Sequence, residues 1–256
     1  DDWLKAMNWQ DDVRVTISAS EVLTIAVLAA KFFQNHHERA LSILILSKDI
    51  HRISVSRFNR RLHQLRTTLN ELLDWVMEQV GSRQLAVIDS MPLPICQPAR
   101  ANRCRKVKGK AYHGYCAAKR LSFYGFRLHW VCNTAGTPLT YTLLPASAHD
   151  LWPLHDLCCA LPTGARLLAD KGYNCDRDEY HEFLWADITV TPLHRRNMLP
   201  NTSEQLALLR QHRHAIETAH GILEKMGVQR LHARTLHGFL LKLYASLLVL
   251  CINSFV

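Results

Sequence analysis

The sequence predicts an α/β protein: a mixed sheet with its helices, preceded by an all-helical segment. Three observations carry that reading. Residues 1–80 repeat their apolar side chains at helical spacing. Beyond residue 80, short apolar runs closed by turn residues alternate with helical patterns. The 256 residues are 48% hydrophobic and 21% charged, enough to bury a core and unlike a disordered chain or a coiled coil.

In the first 80 residues, Ser18 and Glu21 have the spacing of a capping box. Behind them Val22, Ile25, Ala26, Ala29, Phe32 and Phe33 recur at helical intervals. Further helices are expected over 40–47 and 55–80, the latter with Phe58, Leu62, Leu65, Leu69, Leu72 and Leu73 as its core stripe. Arg57, Arg60, Arg61 and Arg66 surround its start, a pattern compatible with a DNA-binding helix-turn-helix and equally with a solvated face.

The period then changes. Residues 84–89 (QLAVID) read as a buried strand bounded by Ser90 and Pro92. Residues 124–133 and 139–144 form a hairpin around the turn at 134–138. A helix over 150–161, with Asp150 as its N-cap, leads to a strand at 166–170. A helix over 176–184, a strand over 188–193 and a long helix over 203–226 follow, the last with Thr202 and Gln205 as a capping box. Residues 238–256 form an apolar closing helix. The expected division is 1–80, helical, and 81–256, the sheet with the closing helix.

Strand, strand, strand, helix, strand, helix, strand, helix is the element order of a ribonuclease-H-like fold. That analogy puts the first and fourth strands side by side, with the long helix across them. It makes a test: carboxylates at the ends of those strands should meet one from the helix. Asp89 ends the first strand, Asp170 ends the fourth, and Glu217 lies midway along the helix. A carboxylate beside a core costs several kcal/mol unless it is paired or binds a metal. Three carboxylates are suited to Mg²⁺, a hard cation that keeps open positions for water and phosphate. Two such ions about 3.5–4 Å apart can clamp the attacking and leaving oxygens of a displacement at phosphorus. Arg213 precedes Glu217 by one helical turn and is either a salt-bridging partner or a phosphate ligand. The apolar stripe of this helix is read as Leu208, Ala215, Ala219, Ile222 and Met226.

VIDS at 87–90, ASAHD at 146–150, ADKGYN at 169–174 and RHAIET at 213–218 together resemble bacterial insertion-sequence transposases of the DDE class. Residues 46–65 and 235–253 resemble one branch, the insertion sequence 982 family, so that nearly the whole chain is covered. The resemblance implies a ribonuclease-H-like catalytic core and metal-dependent DNA transposition. Asp89, Asp170 and Glu217 are then the catalytic and metal-binding triad, with two Mg²⁺ ions per site and Mn²⁺ as a substitute. Arg213 matches the arginine of the related Y-R-E-K signature. The signature lysine falls on Glu224, and Lys225 stands one place on, rotated by about 100°. The resemblance also implies a homodimer on DNA. A nuclease without strand transfer and a decayed DNA-binding copy are the alternative readings.

Charge supports a polyanionic partner. From Ser90 to His149 there is no acidic residue, and the nine basic residues there equal the whole net charge of +9. Arg103, Arg105, Lys106, Lys108 and Lys110 are the candidate phosphate contacts of double-stranded DNA, with Arg213 and Lys225 on the long helix. End recognition is assigned to residues 1–80. Eight cysteines without C-x-x-C spacing or a cleavable signal predict reduced thiols in a cytoplasmic protein, and the resemblance implies a bacterial one. No apolar run reaches the length that crosses a membrane.

Overall fold

The computed structural model describes residues 1–174 and 187–255. The helix expected over 176–184 lies outside the described residues. Those described group into two compact units, Asp1–Val76 with Leu223–Val256, and Met77–Ile222.

The first unit is helical: α1 (Asp2–Ala6), α2 (Ala19–Phe33), α3 (His37–Leu46), α4 (Val55–Gln64), α5 (Arg66–Gln79, which ends in the second unit) and a closing helix, Leu236–Ile252. The capping box of α2 forms as expected. Glu21 N donates to Ser18 Oγ at 3.2 Å, and Ser18 N donates to Glu21 Oε2 at 2.7 Å. The single helix expected over 55–80 is two. Leu65, at φ −84° and ψ 15°, breaks the ladder, yet Phe58, Leu62, Leu65, Leu69 and Leu73 are all buried. The closing helix groups with these helices. It is apolar on nearly every face, and the Val22–Ala30 side of α2 gives it a surface to bury against. Buried Asn35 locks this packing, donating to Met226 O at 3.1 Å and to Ser246 Oγ at 3.0 Å. Arg61 is structural: it bonds Asp11 at 2.7 Å and Ile17 O at 3.1 Å.

The second unit is built on six strands: β1 (Leu85–Cys96), β2 (His113–Cys116), β3 (Leu121–Asn133), β4 (Pro138–Pro145), β5 (Arg166–Ala169) and β6 (Thr189–Pro192). The path is β2-β3-β1-β5-β6, with β4 also on β3. β1 runs antiparallel to β3 and parallel to β5, and β5 parallel to β6. This is the expected mixed, ribonuclease-H-like order, with the first strand and the one that carries Asp170 as neighbours. β1 extends well past Asp89, through Pro92 and Pro94. Its pairing to β5 stops at Ile88, so beyond it only the β3 edge needs donors and proline is tolerated.

Short α6 (Leu154–Cys158) packs on one face of the sheet, over Ile88, Leu139, Leu167 and Tyr173. It has Pro153 at its N-cap, so Asp150 is not the cap it was expected to be. The long helix α7 (Ser203–Lys225) lies on the other face, and the division between units falls within it. Its capping box forms, with Gln205 N bonded to Thr202 Oγ1 at 3.2 Å. Its buried residues in this unit are Leu209, Ile216 and Ala219, so the stripe lies one residue round from the Leu208–Ala215 line. The closing helix is α8 hereafter.

One glycine fixes the β1–β3 register. A Cβ on Gly125 would stand 2.3 Å from Leu93 O and 2.7 Å from Ile95 N, both backbone atoms. Gly125→Ala should therefore cost about 3 kcal/mol, measured as a lowered urea midpoint. A loss under about 1 kcal/mol would mean that the bulged end of the ladder opens freely.

Candidate active site

Parallel pairing of Ile88 with Ala169 brings the next residues, Asp89 and Asp170, out at the same level of the sheet. Their surroundings differ. Asp89 lies within β1 beneath α7, its side chain 23% exposed. Burial pushes its carboxyl up to about 7; the bond from Ser90 N, 2.7 Å to Oδ1, opposes this, while the negative charge of Asp170 adds to it. Asp170 caps the turn at Lys171–Tyr173, accepting from Lys171 N at 2.6 Å.

Arg213 joins the second and third carboxylates. It donates from Nη1 to Asp170 Oδ1 at 2.9 Å, from Nη2 to Oδ2 at 3.0 Å, and from Nε to Glu217 Oε1 at 3.2 Å. A paired fork is about twice as strong as a neutral hydrogen bond, whereas an exposed i,i+4 pair gives about 0.3–0.5 kcal/mol. Asp170 therefore sets the guanidinium position, and Glu217 follows it. Val87, Asp89, Leu168, Asp170, Leu209, Arg213 and Ile216 line one cleft. Glu217, 53% exposed, stands at its outer side behind Arg213. The expected meeting of three carboxylates is thus a direct Asp89–Asp170 pair, with Glu217 attached through Arg213. Among the described residues no cluster of three or more metal-ligating side chains is close enough to hold an ion. The Asp pair suits a divalent cation: two hard oxygen donors stand at one level of the sheet, and the more buried of them, Asp89, resists ionising without a counter-charge.

Residues that the sequence did not single out complete the site. Trp130, fully buried opposite Asp89 on β3, donates from Nε1 to His220 Nε2 at 2.7 Å. An indole can only donate, so His220 carries its proton on Nδ1, which lies 3.9 Å from Asp89 Oδ2. On the other face Asp150 accepts from Ser90 Oγ at 3.0 Å. His129 there is wholly buried and held neutral, pushed down to about 4 by desolvation.

The basic segment forms a loop after β1. Ala101, Cys104 and Val107 are buried at every third position, and Tyr124 Oη bonds Val107 O and Gly109 O. Arg103, Arg105, Lys108 and Lys110 point to solvent, and Lys106 is half-buried. Lys225 is exposed at the end of α7, and Glu224 accepts from Gln229 Nε2 at 3.0 Å. The seven described cysteines are free thiols, and no described helix is long and apolar enough to cross a membrane.

The family model for the transposase DDE domain matches residues 81–252. The chain belongs to that family. Its members are DNA transposases, enzymes that use divalent metal ions for strand cleavage and joining. Among solved structures, this transposase chain is similar to the piggyBac transposase in its synaptic complex with hairpin DNA. The TM-score is 0.55 at 12% identity, over 98% of this chain and 69% of that one, a likeness of fold. The Mos1 transposase in a paired-end complex with the left transposon end gives 10% identity over 88% of this chain and 86% of that one. Its TM-score is 0.28, below the level at which a shared fold follows. No curated protein matches the sequence.

Proposed function

We propose that this transposase moves a bacterial insertion element of the insertion sequence 982 type, with Asp89, Asp170 and Glu217 as its catalytic carboxylates. The observation that carries the site assignment is the alignment of Asp89 with Asp170 on adjacent parallel strands, with Arg213 tying Asp170 to Glu217. Two Mg²⁺ ions, or Mn²⁺ in their place, would be held there and would supply an activated water or 3′-hydroxyl and neutralise charge at phosphorus. Asp89 must give up its proton to bind, which its raised carboxyl does readily just above neutrality. Arg213 holds Asp170 in place, and its charge on the rim of the cleft favours a DNA phosphate.

The loop with Arg103, Arg105, Lys106, Lys108 and Lys110 tracks the phosphates of double-stranded DNA. Arg213 and Lys225 are further phosphate contacts. The helical unit reads the terminal repeats. Arg57 and Arg60 are exposed beside Arg14 in one groove, available to DNA where Arg61 is not. The protein works as a homodimer on DNA, in the cytoplasm beside the nucleoid.

The test is a duplex carrying the repeats that flank the encoding locus, incubated with Mg²⁺ or Mn²⁺. Cleavage at the repeat ends followed by joining is expected. Cutting at any sequence without joining would replace this reading by that of a nuclease. Lys106, Lys108 and Lys110 changed together to Gln should weaken binding at every sequence. The log–log salt slope should fall by about 0.9 for each phosphate that the variant no longer neutralises. An unchanged slope would move the DNA path elsewhere.

A further inference from the structure

The pairing of β1 with β5 ends at Ile88 and Ala169. The two residues proposed to bind metal stand just past the last backbone hydrogen bonds of that ladder. Beyond that point no β1–β5 backbone pairing holds the two strand ends side by side. Side chains alternate along a strand, so Ser90 faces the side of the sheet opposite Asp89. There it shares a face with His129, its partner on β3.

Asp150 reaches this face from the segment after β4. Its Oδ1 accepts from Ser90 Oγ at 3.0 Å, and Arg127 Nη1 lies 3.8 Å from that oxygen. Arg127 also donates to Ser90 Oγ at 3.3 Å and to Tyr115 O at 3.2 Å. His129 Nδ1 stands 3.7 Å from the same carboxylate oxygen. The second oxygen of Asp150 rests against Gly172, where a Cβ would meet it at 2.6 Å. Gly172 belongs to the turn Lys171–Tyr173 that Asp170 caps. One carboxylate thus touches the residue after Asp89 and the turn after Asp170, each from beneath.

We propose that Asp150 is a positioning residue for the Asp89–Asp170 pair, clamping the two strand ends together from the opposite face of the sheet. This rests on the assignment of Asp89 and Asp170 as metal ligands. Arg127, 3.8 Å away, supplies a positive partner for the three-quarters-buried clamp. Gly172 supplies the room, because its need is for space and not for a left-handed backbone. Residues that hold metal ligands in place commonly change metal affinity about 10–100-fold when removed.

The experiment is Mn²⁺ binding to the full chain, followed by the electron paramagnetic resonance of free Mn²⁺ and by calorimetry. Asp150→Ala is expected to weaken binding about ten-fold or more. Gly172→Ala, which pushes the carboxylate off Ser90 without deleting it, should do the same. The double variant should be no worse than Asp150→Ala alone, since the added methyl then fills vacated space. Asp89→Asn is the control and should abolish the tight binding. Unchanged Mn²⁺ affinity in Asp150→Ala and Gly172→Ala, with binding lost in Asp89→Asn, would overturn the clamp alone. Full binding by Asp89→Asn would instead overturn the ligand assignment on which the clamp rests. Should Asp150→Ala fail to fold, Gly172→Ala decides the matter by itself, its metal-free melting curve reporting that the fold is intact.

Discussion

Asp89→Asn should lower metal-dependent DNA cleavage by on the order of 10³ while changing DNA affinity less than about two-fold. Asparagine keeps the shape of the side chain, so Ser90 N at 2.7 Å and the β1–β3 pairing survive. What it removes is the anionic oxygen at the position where the two aspartates converge. DNA affinity is expected to hold because the basic side chains of the 103–110 loop, proposed to contact the phosphates, lie outside the cleft. Glu217→Gln should fall less steeply. Its carboxylate is the more exposed, and it is bound to Arg213 rather than to the Asp pair. Gel-resolved cleavage beside filter binding checks both. Cleavage by Asp89→Asn within ten-fold of wild type would remove Asp89 from the chemistry.

The two aspartates were legible because each ends a short apolar run, and a charge placed there is costly without a use. The order of elements along the chain was a local pattern, and analogy with a ribonuclease-H-like fold then placed the first and fourth strands side by side. What stayed hidden depended on contacts between distant segments. Asp150 reads as a helix cap, and only the meeting of β1 with the segment after β4 reveals Ser90, sixty residues away, as its partner. His220 reads as one more polar residue on a charged helix face. Its bond to Trp130, ninety residues distant, gives it a fixed tautomer beside Asp89. Ala219 and Met226 of the α7 stripe are buried as expected, but Leu208, Ala215 and Ile222 were each placed one residue off, because Leu208 and Leu209 are equally apolar and only packing chooses between them. The length of β1 was missed for a similar reason. Pro92 and Pro94 end a strand paired on both sides, but not one whose second neighbour has already stopped. The closing helix is apolar all round, so its sequence states that it is buried without stating against what.

The same Asp89→Asn change should stabilise the metal-free protein at pH 8 and change it by less than about 1 kcal/mol near pH 4. The Asp89 carboxyl rises from its ordinary value of 3.8 to about 7 on folding, chiefly through burial. Well below 3.8 both the folded and the unfolded chain hold the proton and the group contributes nothing; near pH 4 the unfolded chain has released about half of it, at a cost under about 1 kcal/mol. Between about 4 and 7 the unfolded chain has released its proton while the folded protein keeps it, and stability falls as pH rises. Above 7 the full cost of a buried, ionised carboxylate is present. One pKa unit corresponds to about 1.4 kcal/mol, so the cost at pH 8 is a few kcal/mol. Asparagine has no charge to bury and escapes it. Urea midpoints in a chelator at pH 8 and pH 4 read the difference, which should shrink steadily as the pH is lowered. Saturating Mn²⁺ should restore the wild type toward the variant at pH 8 and do little for the variant itself, because ligand binding stabilises only the form that binds. Equal midpoints at pH 8 would show that the Asp89 carboxylate is not strained by its position. Mn²⁺ would still stabilise the wild type by the amount its binding supplies, but that gain would no longer offset a cost of burying the Asp89 charge.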